Sequence, residues 1–245
     1  MTDISPAVRA DLAPTGTVRA GINYGNFILA TKDPASGESR GVAVDLLHEI
    51  GRRLAAPVEI VAYDSIAVMG DAAPSGAWDL AFLGSDPARE ALMSFTAAYL
   101  EIEATYLVPA GSALRTAAEV DREGVRVAAP ARANYELYLR RSLKHARLVS
   151  APGADAAVDL LATGKADALA GLTQGLLDAM GKLPGSRLVD GRFMAVQQSI
   201  AVPRGKDAGL ALLRRVVEDA KASGLVARAI EKTGARGVSV APPAA

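Results

Sequence analysis

The sequence predicts an α/β protein made of two lobes, each built from alternating strands and helices. Half of its 245 residues are apolar, and short β-like runs alternate with longer amphipathic stretches. The same order of elements starts again after residue 112. A soluble domain usually has roughly 100–200 residues, so this length suits one large domain or two lobes. Strand–helix–strand order indicates parallel sheets with helical crossovers.

The first half contains three predicted strands and one long helix. The strands are 17–22, 58–63 and 79–83, the last apolar enough to be buried on both faces. The segment 31–41 is rich in turn-forming residues and predicts a loop or hairpin. Apolar residues at helical spacing from Val42 predict an amphipathic helix of about four turns.

The second half repeats this alternation. Predicted strands are 125–128, 146–149, 166–170 and 199–202, and predicted helices are 132–144, 153–163, 207–222 and 224–232. The tail 234–245 is expected to be poorly ordered. Two sequence echoes favour a structural repeat: Val18-Arg19 resembles Val125-Arg126, and Asp79-Leu80-Ala81 resembles Asp167-Ala168-Leu169.

Extended stretches at 105–108 and 199–202 bracket the second lobe and predict a two-strand hinge. The expected division is 1–106 with 200–245 for lobe 1, and 107–199 for lobe 2, inserted into lobe 1. Ligands of open α/β sheets bind outside the carboxyl ends of the strands. Two such sheets facing each other are therefore expected to enclose a ligand cleft.

The composition excludes several classes of protein. Lys+Arg and Asp+Glu are 27 each, so the zero net charge argues against a nucleic-acid partner, which requires a basic face. There is no cysteine and there are only two histidines, so neither a metal nor a cofactor is expected. No nucleophile elbow, phosphate-binding glycine loop or zinc-binding helix motif occurs. His48 and His145 are interpreted as solvated or helix-terminal residues.

Five short motifs in order carry a resemblance to a known family over residues 16–233. They are Thr17–Asn23, Gly41-Val42-Ala43-Val44-Asp45-Leu46, Gly76-Ala77-Trp78-Asp79-Leu80, Asp86-Pro87-Ala88-Arg89 followed by Phe95, and Gly164-Lys165-Ala166-Asp167-Ala168. The sequence resembles the amino-acid-type (family 3) extracellular solute-binding proteins of ABC transporters. The resemblance implies the type II periplasmic-binding fold, two Rossmann-like lobes joined by a two-strand hinge.

Arg89 is the first candidate ligand-binding residue. Ser85 or Asp86 can cap a helix with Pro87 in its first turn, so Gly84 to Arg89 are expected to form an anion-binding helix start. An arginine can hold a carboxylate with two hydrogen bonds. The resemblance implies that Arg89 holds the ligand's α-carboxylate; the alternative is a solvated surface arginine.

The second lobe offers a helix start at Arg132 to Asn134. The family usually has Gly-Thr/Ser-Thr there, in contact with the ligand carboxylate, and this sequence has Ala133 and Asn134 at the hydroxyl positions. Asn134 can still cap or donate, and Arg132 either brings a second cation or faces solvent at the helix start.

Leu172 is a departure from the family pattern. Amino-acid-binding members commonly have an acidic residue there, five positions after the Asp of the strand, to pair with the ligand ammonium. Leucine cannot pair with a cation, although Gln174 offers a carbonyl. We expect a ligand without an α-ammonium; the alternative is that Glu101 or Glu103, near the hinge, supplies the charge.

Further candidate contacts come from lobe 1. Tyr24, Asn26 and Phe27 follow the first strand, where the family packs an aromatic ring on the ligand, although Phe27 suits the core equally well. Gln197 and Gln198 enter a strand together, so one of them, with Gln198 the candidate, is expected to face the cleft and the other to be solvated.

The leading hypothesis is a monomeric solute-binding protein that closes on a small carboxylate-bearing ligand, with an ABC-transporter membrane component as partner. The alternatives are a cyclohexadienyl-dehydratase-like enzyme using Glu101 or Glu103 as general acid, or a ligand-sensing domain. Residues 1–16 have no signal-peptide pattern. The protein is therefore expected to be cytoplasmic if Met1 is the native start, and periplasmic, as the resemblance implies, if a signal was removed.

Overall fold

The computed structural model describes residues 4–244. The chain divides into two compact units: unit 1 runs up to Glu101 and resumes at Gln197, and unit 2 is Ile102–Val196. The helices are α1 Pro6–Leu12, α2 Val42–Leu54, α3 Ile66–Asp71, α4 Asn134–Ser142, α5 Ala154–Ala162, α6 Thr173–Met180, α7 Asp207–Ala222 and α8 Leu225–Thr233.

The strands alternate with these helices along most of the chain. They are β1 Val18–Asn23, β2 Thr31–Lys32, β3 Ser39–Arg40, β4 Val58–Tyr63, β5 Leu80–Gly84, β6 Met93–Phe95, β7 Leu100–Val108, β8 Arg126–Pro130, β9 Arg147–Ala151, β10 Ala168–Leu172, β11 Arg187–Leu188, β12 Met194–Pro203 and β13 Val238–Val240. The mixed α/β class predicted from the sequence is confirmed.

Unit 1 is organised around β1. This strand pairs in parallel with β4 and with β5, and β12 pairs antiparallel with β5. All five residues of β5 are buried, as the apolar run 79–83 predicts. The chain therefore brings the carboxyl ends of β1 and β5 to the same edge of the unit 1 sheet.

Helix α2 covers the unit 1 sheet with its apolar stripe, as its spacing predicts. Val42, Leu46 and Ile50 are fully buried on it. The helix starts after Gly41, whose φ is 139° and whose Cβ, if it had one, would lie 2.3 Å from the carbonyl oxygen of Leu29. Only glycine fits this close approach of two backbone segments.

Unit 2 repeats the parallel arrangement on a smaller scale. β8 pairs in parallel with β9 and with β10, and β10 pairs antiparallel with β7. Two apolar clusters pack in this unit. One includes Tyr106, Leu139 and Val189, and the other includes Leu107, Leu161 and Leu176.

The sequence echoes correspond to the same bonded pair in each unit. In unit 1, the Asp79 carboxylate accepts from the backbone N, Nε and Nη2 of Arg19, and the Asp79 N–H donates to the Arg19 carbonyl. In unit 2, Asp167 makes the same four bonds with Arg126. The predicted structural repeat is confirmed at this pair.

One expected helix forms with shorter bounds, and the expectation about the tail is wrong. The helix expected over 132–144 is α4, Asn134–Ser142, because Arg132 is left-handed and Leu143 is extended. The tail expected to be poorly ordered contains β13, followed by an Ala241 N–H that donates to the Tyr99 carbonyl at 3.3 Å. Lys221 Nζ also donates to the Pro242 carbonyl at 2.7 Å. These partners are distant in sequence, so local composition does not reveal them.

Candidate functional site

The turn after β5 holds the leading candidates of unit 1. Asp86 caps it, because its Oδ1 accepts from the N–H of Ala88 at 2.9 Å. The predicted α-helix does not form: Pro87–Arg89 make a single 3-10 turn before the chain enters β6. Three residues do not build a helix dipole, so the helix-dipole argument for anion binding here is wrong.

Arg89 ends this turn with its side chain buried. The residue is 9% exposed, and its Nη1 donates to the carbonyl oxygen of Gly84 at 2.6 Å. The solvated alternative for Arg89 is therefore wrong. The bond to Gly84 ties the guanidinium to the last residue of β5 and fixes the direction of its planar fork.

Strand β12 lies beside this turn. Gln198 is directly opposite Gly84, and the Ser85 N–H donates to the Gln197 carbonyl at 2.9 Å. The prediction that one glutamine is solvated is wrong. Gln198 is buried, and half-buried Gln197 donates through Nε2 to Glu101 Oε1 at 2.9 Å. Within residues 4–244, Gln198 Oε1 has no hydrogen-bond partner.

The loop after β1 carries the aromatic candidates. Tyr24 bonds Ser39 through the two hydroxyl groups at 2.5 Å, and Lys32 Nζ lies 5.5 Å from the Tyr24 ring centroid. Asn26 Oδ1 accepts from the N–H of Ile28 at 3.3 Å. Phe27 is 36% exposed, so its core alternative is wrong. Because β1 and β5 are parallel neighbours, this loop and the turn after β5 leave the same sheet edge.

In unit 2, the segment between β8 and α4 carries Arg132 and Asn134. Arg132 is exposed, with a φ of 63°, and Asn134 is buried as the first residue of α4. The helix cap is Ala133, which offers no side-chain bond, so Asn134 is not the cap. The N-cap is therefore Ala133, one residue before the Asn134 that the sequence suggested.

Glu136 is a residue that sequence reasoning missed. It is fully buried, its Oε2 accepts from the Arg132 N–H at 3.0 Å, and its Oε1 accepts from Ser150 Oγ at 2.7 Å. It also forms an ion pair with Arg140. The spacing of four residues from Arg132 to Glu136 to Arg140 is the only sequence signal, and it does not distinguish this residue from a solvated charge.

Strand β10, the parallel neighbour of β8, ends at Leu172. Leu172 is half-buried and precedes α6, and Gln174 donates through Nε2 to Asp178 Oδ1 at 3.1 Å. Because β8 and β10 are parallel neighbours, Leu172 and Arg132 follow the same edge of the unit 2 sheet. Glu103, on β7, pairs with Arg192 at 3.0 Å.

The rest of the described chain adds no metal or membrane feature. Residues 4–244 contain no group of three or more His, Cys, Asp or Glu side chains able to hold a metal ion. Within the same range, each helix is too short or too polar to cross a membrane.

Solved structures of similar fold cover most of the chain. A periplasmic VFT2 domain of BvgS from Bordetella pertussis has a TM-score of 0.76 at 18% identity, covering 94% of this chain and 98% of its own. The amino acid ABC transporter substrate-binding protein AbpA from Streptococcus pneumoniae, bound to L-arginine, has a TM-score of 0.73 at 18% identity. The match covers 90% of this chain and 95% of AbpA. The ancestral amino acid-binding protein AncCDT-1, a precursor of cyclohexadienyl dehydratase, has a TM-score of 0.73 at 20% identity. The match covers 90% of this chain and 96% of AncCDT-1.

These likenesses establish the type II periplasmic-binding fold predicted from the motifs. No curated protein sequence gives a significant match. The family profile that matches, over residues 20–235, describes binding proteins rather than enzymes and confirms the family resemblance. The chain belongs to the bacterial extracellular solute-binding proteins, family 3.

Proposed function

We propose that this protein binds a small carboxylate-bearing ligand outside the cytoplasm and delivers it, as a monomer, to the membrane component of an ABC-type importer. Membership of an extracellular solute-binding family supports the binding function and the compartment. The structural neighbours that act in amino acid ABC transport support the importer.

The single observation that carries the carboxylate assignment is Arg89. Arg89 is 9% exposed at the carboxyl end of a central parallel strand, where α/β proteins bind ligands. Its bond to the Gly84 carbonyl orients a planar fork that matches a carboxylate. We propose that this fork takes the ligand's carboxylate, with the exposed ring of Phe27 near the same sheet edge.

Unit 2 is proposed to offer Arg132 and Asn134, which follow the carboxyl end of β8, as further polar contacts for a ligand. Leu172 supports a ligand without an α-ammonium, because an apolar side chain leaves a desolvated cation unpaired. Glu103 is already paired with Arg192 and Glu101 accepts from Gln197, so we propose that neither supplies the missing counter-charge.

The test starts from a thermal-shift screen against amino acids, keto and hydroxy acids, dicarboxylates and aromatic acids. A ligand at 100 times its dissociation constant raises the free energy of unfolding by about 2.7 kcal/mol. Affinity for the best ligand is then measured for Arg89→Lys, which keeps the charge but loses the fork. We expect binding at least tenfold weaker, because a bidentate pair becomes a point contact.

Arg215→Lys, on the exposed face of α7, is the matched control and is expected to bind normally. Since Arg89 also holds the Gly84 carbonyl, the melting temperature of each variant is measured without ligand. Unchanged affinity in Arg89→Lys would remove Arg89 from the site. Mass spectrometry is expected to recover the ligand unaltered; turnover abolished by Glu101→Gln or Glu103→Gln would favour the dehydratase alternative.

A further inference from the structure

A groove in unit 1 combines an apolar lining with a rim of arginines. It has a volume of about 1310 Å³ and is lined by residues of α1, the end of α2 and α7. Its buried lining residues, Val8 and Leu212, are both apolar. The charged residues that line it are Arg9, Arg52, Arg53, Arg214, Arg215, Glu218 and Asp219. We call this feature the arginine groove. The chain has zero net charge, so the excess of positive charge is local.

The two acidic residues of the arginine groove already have partners. Glu218 pairs with Lys221 at 2.7 Å, and Asp219 pairs with Arg53 at 2.6 Å. Each of these carboxylates lies four positions after an arginine of α7, the spacing at which an ion pair forms along a helix. Here the carboxylates bond elsewhere, so the sequence offers these arginines local partners that the structure does not use.

Three arginines of the groove are therefore not neutralised by the fold. Arg9, Arg214 and Arg215 are exposed, and none of them forms an ion pair with another residue in the range 4–244. Arg52 differs, because its Nε and Nη2 both donate to Glu49 at 2.8 Å. Arg214 and Arg215 lie in the middle of the 16-residue α7, too far from its end to interact with the helix dipole.

The arginine groove is separate from the turn that holds Arg89. Ala55 lines the groove and lies three positions before the first residue of β4. Arg89 follows the last residue of β5, and β1 pairs in parallel with both β4 and β5. The groove is thus near the amino ends of these strands, whereas Arg89 follows their carboxyl ends. An occupant of the groove does not need the carboxylate site.

The lining and the rim together indicate what could occupy the groove. A guanidinium binds a carboxylate with two hydrogen bonds, and arginine is enriched in protein interfaces. A densely charged polyanion is disfavoured, because Glu218 and Asp219 in the rim would repel it. A polypeptide spaces its acidic side chains and can place apolar ones between them.

We propose that the arginine groove binds an acidic segment of a partner protein. The acidic side chains of the segment pair with Arg9, Arg214 and Arg215, and its apolar side chains contact Val8 and Leu212. The inference does not depend on the proposed function, since it assigns a different surface of unit 1.

The experiment compares the unaltered protein with a groove variant that carries Arg9→Gln, Arg214→Gln and Arg215→Gln. A random peptide library is first depleted on the immobilised groove variant, which removes peptides that bind elsewhere, and is then selected on the unaltered protein. We expect the recovered peptides to be rich in Asp and Glu with apolar residues between them. By fluorescence anisotropy, the tightest peptide is expected to bind the groove variant about tenfold more weakly, because three exposed charge pairs each contribute roughly a two- to threefold factor.

A variant of unit 2 is the matched control. Lys144→Gln, Arg147→Gln and Lys165→Gln remove the same charge from exposed positions that form no ion pair within residues 4–244. This variant is expected to bind the peptide as the unaltered protein does. Both triple variants are expected to melt within about 2 °C of the unaltered protein, because the removed charges are solvated. Replacing the apolar residues of the peptide by serine is expected to weaken binding about threefold or more.

Four results would overturn the inference. They are a depleted library that yields no peptide, recovered peptides without an excess of acidic residues, full binding by the serine-substituted peptide, and an equal loss of affinity in the unit 2 variant. Inorganic polyphosphate and phosphatidylglycerol vesicles are titrated as competing occupants. If either binds in an arginine-dependent way and more tightly than every peptide, the groove is a polyanion or membrane site instead. Arg89→Lys is expected to bind the peptide normally, so failure of the carboxylate assignment leaves this test intact.

Discussion

The two units place an arginine and an aspartate in the same four hydrogen bonds but at different depths. In unit 1, the side chain of Asp79 is 4% exposed and that of Arg19 is 25% exposed. In unit 2, the side chains of Asp167 and Arg126 are 39% and 40% exposed. In each pair the arginine lies at the start of one strand, β1 or β8. The aspartate is the residue just before the parallel neighbour of that strand, β5 or β10.

The hydrogen-bond geometry alone therefore does not determine how much such a pair contributes to the free energy of unfolding. An exposed ion pair is screened by water and salt and contributes little. A buried carboxylate loses its hydration, so removing its charge leaves the partner arginine without compensation. The same local sequence pattern links the same two neighbouring strands in both units. The burial of the side chains decides how strongly the stability of each unit depends on the pair.

Asp79→Asn is expected to have the largest effect. It should lower the free energy of unfolding by about 3 kcal/mol, because the amide cannot compensate a partly buried Arg19. Urea unfolding followed by circular dichroism measures the loss. Asp64→Asn, at an exposed position of unit 1, is the control and should change stability little. Equal losses in the two variants would contradict the role of burial.

Asp167→Asn is expected to cost roughly a third as much as Asp79→Asn, because both side chains of the unit 2 pair reach water. The difference from the unaltered protein should shrink further in about 1 M sodium chloride, where the Debye length is ~3 Å. The stability loss of Asp79→Asn relative to the unaltered protein should persist at the same salt concentration. A loss as large and as insensitive to salt as that of Asp79→Asn would show that exposure does not separate the two pairs.

The smallest expected effect is the pH dependence of the contribution that Asp167 makes to stability. The hydrogen bonds from Arg126 lower the pKa of Asp167, against a smaller opposing effect of burial. This contribution is therefore fully present above the unfolded pKa of about 3.9 and is lost as pH falls through the lower folded value. The stability difference between Asp167→Asn and the unaltered protein should narrow between about pH 5 and pH 2. A constant difference would show that the charge of Asp167 does not stabilise the fold.

Local patterns predicted much of this architecture. The stripe beginning at Val42 is α2, the apolar run 79–83 is β5 with a shift of one residue, and the Arg–Asp echo is the repeated pair. Each of these depends on periodicity or on neighbours along the chain. The assignment of Arg89 to a carboxylate came from family resemblance, and ligand binding by it stays a prediction.

The errors arise where partners are far apart in sequence or where one signal has two outcomes. Asp86-Pro87 caps a 3-10 turn as readily as a helix, so the local signal could not give the length of the element. Glu136, on α4, accepts a hydrogen bond from Ser150, which lies on β9 and is 14 positions away along the chain. The strand β13 is stabilised next to Tyr99, more than 130 positions earlier, which no local composition reveals.

The discontinuity of unit 1 has a consequence for synthesis on the ribosome. Unit 2 is continuous, so all of its sequence has emerged once residue 196 leaves the exit tunnel. Unit 1 must wait for β12, whose residues pair with β5 beside the Arg89 turn, and for α7 and β13. Until then, the edge of β5 lacks its antiparallel partner and is exposed to incorrect pairing. The inserted unit can therefore fold first, and the turn that holds Arg89 is completed only after β12 has emerged.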